Sequence, residues 1–280
     1  MKQSSNKRGG ALAVKVIVAV CGSAMCAAIL LKAPLWGICI LLSVVTGGAA
    51  YELTAPTHFV THRYLRILTV LQAIAVIWAI YAELPAVWWL LWIFCAFMLA
   101  FTPFVFTEKA AGAAEGAASL FASFIVPANT ALFICLFRLE NGRLLMLVPL
   151  IAAWCGDSLA LLGGMAFGKH KLNPRISPNK TVEGFLCGII GGALGMLLYG
   201  VILRACRHAV SLPVFSAVGA VGAACGALGD LTFSGIKRNV GIKDFGTFMP
   251  EHGGILDRFD SALFVLPVCT AAFLLLPLQF

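Results

Sequence analysis

Residues 234–261 read SGIKRNVGIKDFGTFMPEHGGILDRFDS, four cations and four acids around a Gly-Gly pair. If a helix opens near Gly254, Asp257 and Asp260 stand three apart on one face. Carboxylates so paired suit Mg2+, which takes carboxylate oxygens and is completed by water and substrate phosphates. Two more acids lie inside apolar runs, Asp157 in AAWCGDSLALL and Asp230 in AACGALGDLTFSG. A carboxylate near the centre of a membrane span costs at least ~2.5 kcal/mol, so it is kept where it meets a polar cavity, a partner or an ion. The plainer alternatives are a structural hydrogen bond between helices and, for Asp257, the preference of a helix's first turn for negative charge. Anchoring at a membrane surface accounts for loop cations in general. It does not account for Lys237, Arg238, Lys243 and Arg258 alternating with acids around Gly253 and Gly254. Glycines ahead of a helix let an anion approach its free N–H groups. Acids for a metal, with metal and cations for phosphates, fit phosphoryl or nucleotidyl transfer better than ion transport.

A second polar stretch, GKHKLNPRISPNKTVEG, carries Lys169, Lys171, Arg175 and Lys180. Ser177-Pro178 reads as an N-cap followed by the first helical residue. This predicts Lys180 and Thr181 in the first turn of a helix, where a cation runs against the dipole and so favours a bound anion as its partner, with simple anchoring at the membrane surface the alternative. His252, just before the glycine pair, reads either as a phosphate donor or general acid, or as a brace for its loop.

The elements that position these residues are membrane helices. The chain is 61% hydrophobic and 11% charged, against about 25% charged in soluble domains. Apolar runs recur at the length that crosses about 30 Å of hydrocarbon. The expected fold is an all-α, polytopic helical bundle of about nine transmembrane helices, near 11–31, 34–51, 66–82, 86–106, 117–136, 143–167, 183–203, 213–233 and 260–279. The first run reads as a retained helix rather than a signal peptide, for want of a small-x-small cleavage site. With the N-terminus in the cytoplasm, fifteen of the twenty Lys and Arg fall on the cytoplasmic side, and so do the loops 168–182 and 234–259. Residues 1–140 are expected to be membrane scaffold and 141–280 the catalytic membrane region, in one integral unit. The ten cysteines form no CxxC, and all but one lie in apolar runs, so neither a metal cluster nor a disulfide framework is expected. The net charge of +8 is assigned to cytoplasmic loops and not to nucleic acid.

Residues 234–260 resemble the signature of the CDP-diacylglycerol synthase (phosphatidate cytidylyltransferase) family. The pattern is met without a break by Ser234, Ile236, Lys237, Arg238, Lys243, Asp244, Gly246, Pro250, His252, Gly253, Gly254, Ile255, Asp257, Arg258, Phe259 and Asp260. Asp157, Ser158, Ala160, Gly164, Gly168, Ser177, Pro178, Lys180, Thr181, Glu183 and Gly184 also fall in register. Leu161, Met165 and Val182 depart from it, which bears on local substrate contacts. The first half is similar only in hydropathy and in a lone Glu52 after the second span.

The resemblance implies the reaction CTP + phosphatidate → CDP-diacylglycerol + diphosphate, at the inner (cytoplasmic) membrane with the site facing the cytoplasm. It assigns the chemistry to Asp230, Asp257, Asp260, Lys237 and Arg258. It places Ser177, Lys180, Thr181, Ser234, Arg238, Lys243, Asp244, His252, Gly253 and Gly254 at the substrates. Mg2+ would be held by Asp230, Asp257 and Asp260, with Asp157 a further candidate, and a second, monovalent cation such as K+ would lie beside it. CTP, phosphatidate and the lipid bilayer are the implied partners, and a homodimer stays open. Two rivals remain, a CTP-dependent polyprenol or dolichol kinase-like enzyme and a cation-coupled transporter using Asp157 and Asp230.

Overall fold

The computed structural model describes residues 22, 24–107, 110–246 and 253–275, the side chains of 101–107 and 110–113 excepted. The protein is a polytopic helical bundle. Its main helices are α1 (Leu35–Thr54), α2 (Arg63–Tyr81), α3 (Ala86–Thr107), α4 (Ala110–Leu120), α5 (Leu147–Phe167), α6 (Val182–Ala205), α7 (Leu212–Asn239) and α8 (Leu256–Leu275). α4 runs on through a π-helical turn at Phe121–Ile125 and two short helices to Phe137. Pro127 has no N–H to give to the ladder there, which favours such an irregular turn. Among the described residues seven helices are long and apolar enough to cross a membrane, and the start of α3 is a shorter apolar helix. The expected first span, 11–31, lies largely outside the described residues.

Helices suit these runs because lipid offers backbone groups no partner. The hydroxyls inside them follow the same rule. Those of Ser43, Thr46, Thr54, Thr69, Thr130 and Thr270 each donate to the carbonyl four residues back. Packing puts small residues inside and large ones toward lipid. On α6 the inward face holds Gly184, Gly188, Gly191 and Gly192, while Leu186, Ile190, Leu194 and Leu198 are exposed. α6 and α7 come so close that a Cβ on Gly192 would strike the carbonyl of Gly219, and the reverse. The main core joins α1, α5, α6, α7 and α8, and a second cluster (Ala49, Ala50, Leu53, Phe233, Phe245, Leu256) underlies one end of the bundle.

Cations close contacts at both ends of the bundle. At one end arginines hold backbone carbonyls at helix ends. Arg143 donates to Leu31 and Ala33, Arg138 to Tyr81, and Arg204 to Val210. At the other end, Lys180 and Lys237 face carboxylates.

Two local expectations are corrected. Ser177-Pro178 does not open a helix. It lies in β2 (Ser177–Thr181), paired antiparallel with β1 (Lys171–Asn173). The cap of α6 is Thr181, whose hydroxyl accepts the N–H of Gly184 at 3.1 Å. The first-turn acid Glu183 then suits the helix dipole and accepts the N–H groups of Lys169 and His170. Lys180 is therefore a hairpin residue, and Pro178 is tolerated because a two-stranded hairpin is all edge. The second correction concerns α7, which continues through Ser234, Lys237 and Arg238 to Asn239. These residues sit on its last turns rather than in a loop, where cations suit the helix C-terminus.

Candidate active site

Asp230, Ser234 and Lys237 recur at intervals of four and three on α7 and so share one face. The Ser234 hydroxyl donates to Oδ1 of Asp230 at 3.3 Å. Lys180 reaches from the hairpin and pairs with Oδ2 of Asp230, both side chains partly open to solvent. The hairpin is fixed against α7, because Arg238 donates through Nε to the carbonyl of Ile176 at 3.3 Å.

Asp157 from α5 and Asp260 from α8 complete the acidic group. Asp157 lies in the field of the Asp230 and Lys180 charges, and the Ser261 hydroxyl donates to Oδ1 of Asp260 at 3.4 Å. Asp260 is buried, accepts the N–H of Ser261 at 2.7 Å, and feels the charges of Asp230, Lys237 and Asp157. Three carboxylates from three helices thus act on one another, with Lys180 and Lys237 close by.

Asp257, although only three residues from Asp260, has a different setting. Its Oδ1 takes the ammonium of Lys237 at 2.7 Å, and its Oδ2 takes the N–H groups of Phe245 and Gly254, both at 2.9 Å. Lys237 also stands 5.3 Å from the centre of the Phe245 ring, a cation–π distance. Gly253, with φ of 78°, makes the turn that lets Asp257 reach back, and side chains rarely adopt that conformation.

The first turn of α8 gives its N–H groups to carboxylates of the protein itself, not to a substrate anion as the glycine pair suggested. Gly254 N–H goes to Asp257. The N–H groups of Ile255 and Leu256 go to the carboxylate of Glu52, at 2.9 and 2.8 Å. Sequence reasoning noted Glu52 only as a lone acid, because its partners lie about two hundred residues away. It also passed over a second buried acid, Glu115, which accepts His62 Nδ1 at 2.8 Å and the Thr61 hydroxyl, tying the start of α2 to α4.

The remaining expected residues spread around this centre. Thr181 is buried as a cap, and Ser177 is half-buried on β2. Lys243, Asp244 and Arg258 are exposed. His252 lies outside the described residues. Among the described residues no three His, Cys, Asp or Glu side chains are drawn together as a ready metal site. The donors are nonetheless all carboxylate oxygens, which suit a hard cation such as Mg2+ and not zinc. Asp157, Asp230 and Asp260 also carry more negative charge than Lys180 alone offsets. The group fits Mg2+ in donor type and charge, once Lys180 yields Asp230.

Fold and site together define an integral membrane protein with carboxylates and cations gathered at one end of a helical bundle. A profile of the cytidylyltransferase family matches residues 13–276, and the chain belongs to that family. It is similar to the phosphatidate cytidylyltransferase of Staphylococcus saprophyticus, 42% identical over 129 residues, which is 46% of this chain and 48% of that protein. The protein of the same name from Staphylococcus aureus is 43% identical over 131 residues, with the same shares of both chains. The chain thus spans about half the length of the curated relatives it matches.

Proposed function

We propose that this protein transfers a cytidylyl group from CTP to phosphatidate, releasing diphosphate and forming CDP-diacylglycerol. The observation that carries the reading is that Asp157, Asp230 and Asp260, from three helices, lie within one another's electrostatic field beside Lys180 and Lys237, at one end of a membrane bundle. Family membership and the names of the relatives supply the substrate class. A lipid phosphate held in the bilayer and a nucleotide arriving from water meet at such an end.

The chemistry asks little of a protein base. A phosphate oxygen of phosphatidate, with its second pKa near ~6, attacks the α-phosphorus of CTP. The bond from that phosphorus to the bridging oxygen breaks, and diphosphate leaves with the electron pair. Positioning and positive charge do the rest. When bound, Mg2+ neutralises charge on the triphosphate. Asp230 and Asp260, with Asp157, would hold it, and Asp257 would join them only by giving up Lys237. Lys180, released from Asp230, turns its ammonium to a phosphate, and Lys237, Lys243 and Arg258 add positive charge at the same end. The excess of Lys and Arg in the loops at this end supports a cytoplasmic orientation for it, on the side where CTP is available.

The test is incubation of purified protein in detergent with phosphatidate, Mg2+ and CTP labelled in the cytidine. A labelled lipid is expected. No label with phosphatidate, but CTP-dependent phosphorylation of a polyprenol, would replace this reading with a kinase.

A further inference from the structure

We propose that Glu52 is a positioning residue for the site, the side chain through which the N-terminal helices hold the catalytic turn in place. The proposal rests on the cytidylyltransferase reading above. Glu52 lies in the last turn of α1 and is 5% exposed. Its carboxylate accepts the N–H groups of Ile255 and Leu256, and a carboxylate is favoured at a helix N-terminus by those donors and by the dipole.

The surroundings are shaped to receive it. A Cβ on Gly246 or on Gly254 would strike the Glu52 carboxylate, so both ends of the 246–254 connection close on this one group. One turn earlier on α1, Gly48 leaves room for the side chain of Ile255. Ala49, Ala50 and Leu53 of α1 share an apolar cluster with Phe245 and Leu256. Glu52 is thus a polar lock inside an apolar seat.

Glu52 and Asp257 divide the N–H groups of the turn between them. Asp257 takes Gly254 and also Phe245 and Lys237, while Glu52 takes Ile255 and Leu256. Fixing those two N–H groups fixes the start of α8, and with it Asp257, Arg258 and Asp260. The same division leaves substrate phosphates to side-chain cations rather than to the helix N-terminus.

Glu52→Gln tests this, since it keeps the volume and one acceptor but turns an NH2 donor against the second N–H. The readouts are kcat and KM for CTP per monodisperse molecule, and amide exchange by peptide. We expect kcat to fall roughly tenfold or more with KM for CTP little changed, an interaction felt mainly in the transition state. Exchange should quicken over 244–258 and stay as in the parent over α5 and α6. Parental kcat, unchanged exchange at 244–258, or quickened exchange throughout the bundle overturns the proposal, the last showing a merely structural role. If Glu52→Gln does not fold, Gly246→Ala carries the same expectations, because its Cβ displaces the same carboxylate. If the parent itself labels no phosphatidate, the cytidylyltransferase reading fails, and exchange alone decides whether Glu52 holds the turn.

Discussion

The ammonium of Lys237 lies 2.7 Å from Oδ1 of Asp257, and the two side chains are only 10% and 6% exposed. The other oxygen of that carboxylate carries two backbone N–H groups. Asp257 is the joint between the end of α7, the connection that follows and the start of α8. Asp260, one turn on, lies in the field of two other acids. Two aspartates of one short motif therefore answer differently to the same substitution.

Asp257→Asn should destabilise the protein as well as silence it. Removing one partner of a buried ion pair costs about 3–5 kcal/mol, because the other charge stays buried without it. Thermal unfolding in detergent checks this, and a Tm equal to the parent's would show that the pair does not hold the joint.

Asp260→Asn should silence the protein without destabilising it. Without divalent cations it relieves repulsion with Asp157 and Asp230, so Tm should hold or rise while turnover is lost. Mg2+ should raise the Tm of the parent, as any ligand of the folded state does, and should fail to do so in this variant. An equal Mg2+ shift in both proteins would remove Asp260 from the metal site.

Gly253→Ala should lower stability by about 1–2 kcal/mol, the cost of a side chain in left-handed backbone. The new Cβ would also lie 3.0 Å from Oδ2 of Asp257, so turnover should fall with it. Urea or thermal unfolding, with turnover normalised to folded protein, separates the two losses.

Much of this was legible locally. Apolar runs mark helices because length and hydropathy are properties of a segment, and eight of the expected spans coincide with described helices. Asp157 and Asp230 stood out because lipid makes an unpaired acid costly. The errors arose where a local signal had a competitor. Ser177-Pro178 resembles a helix start, but Thr181 caps the helix and Glu183 binds the backbone of the preceding loop. The charges of Lys237 and Arg238 suggested a loop, yet helix C-termini favour cations and α7 carries them. Glu52 was not legible as a site neighbour, since its hydrogen bonds cross from the first half of the chain to the last helix.

The hairpin of β1 and β2 should face the cytoplasm. A single Cys replacing Asn173, in a chain otherwise free of Cys, should resist an impermeant thiol reagent in sealed cells and react once the membrane is opened. Reaction in sealed cells would reverse the orientation and take the site away from cytosolic CTP.

Arg258→Lys separates substrate contact from anchoring. Arg258 is exposed on the first turn of α8, between Asp257 and Asp260. Arginine grips a phosphate with a planar two-pronged fork, and lysine offers only a point charge. The charge survives the change, so a residue that only anchors at the membrane surface would not notice it. A phosphate contact should lose roughly tenfold or more in turnover, about 1.4 kcal/mol. Arg143→Lys is the control from the opposite end, where the guanidinium holds the carbonyls of Leu31 and Ala33. That variant should lose thermal stability and keep its turnover per folded molecule. Both are read by CTP-dependent lipid labelling in detergent, normalised to monodisperse protein. If Arg258→Lys matches the parent, the positive charge that meets the phosphates comes from Lys180, Lys237 and Lys243, and Arg258 serves only the membrane surface.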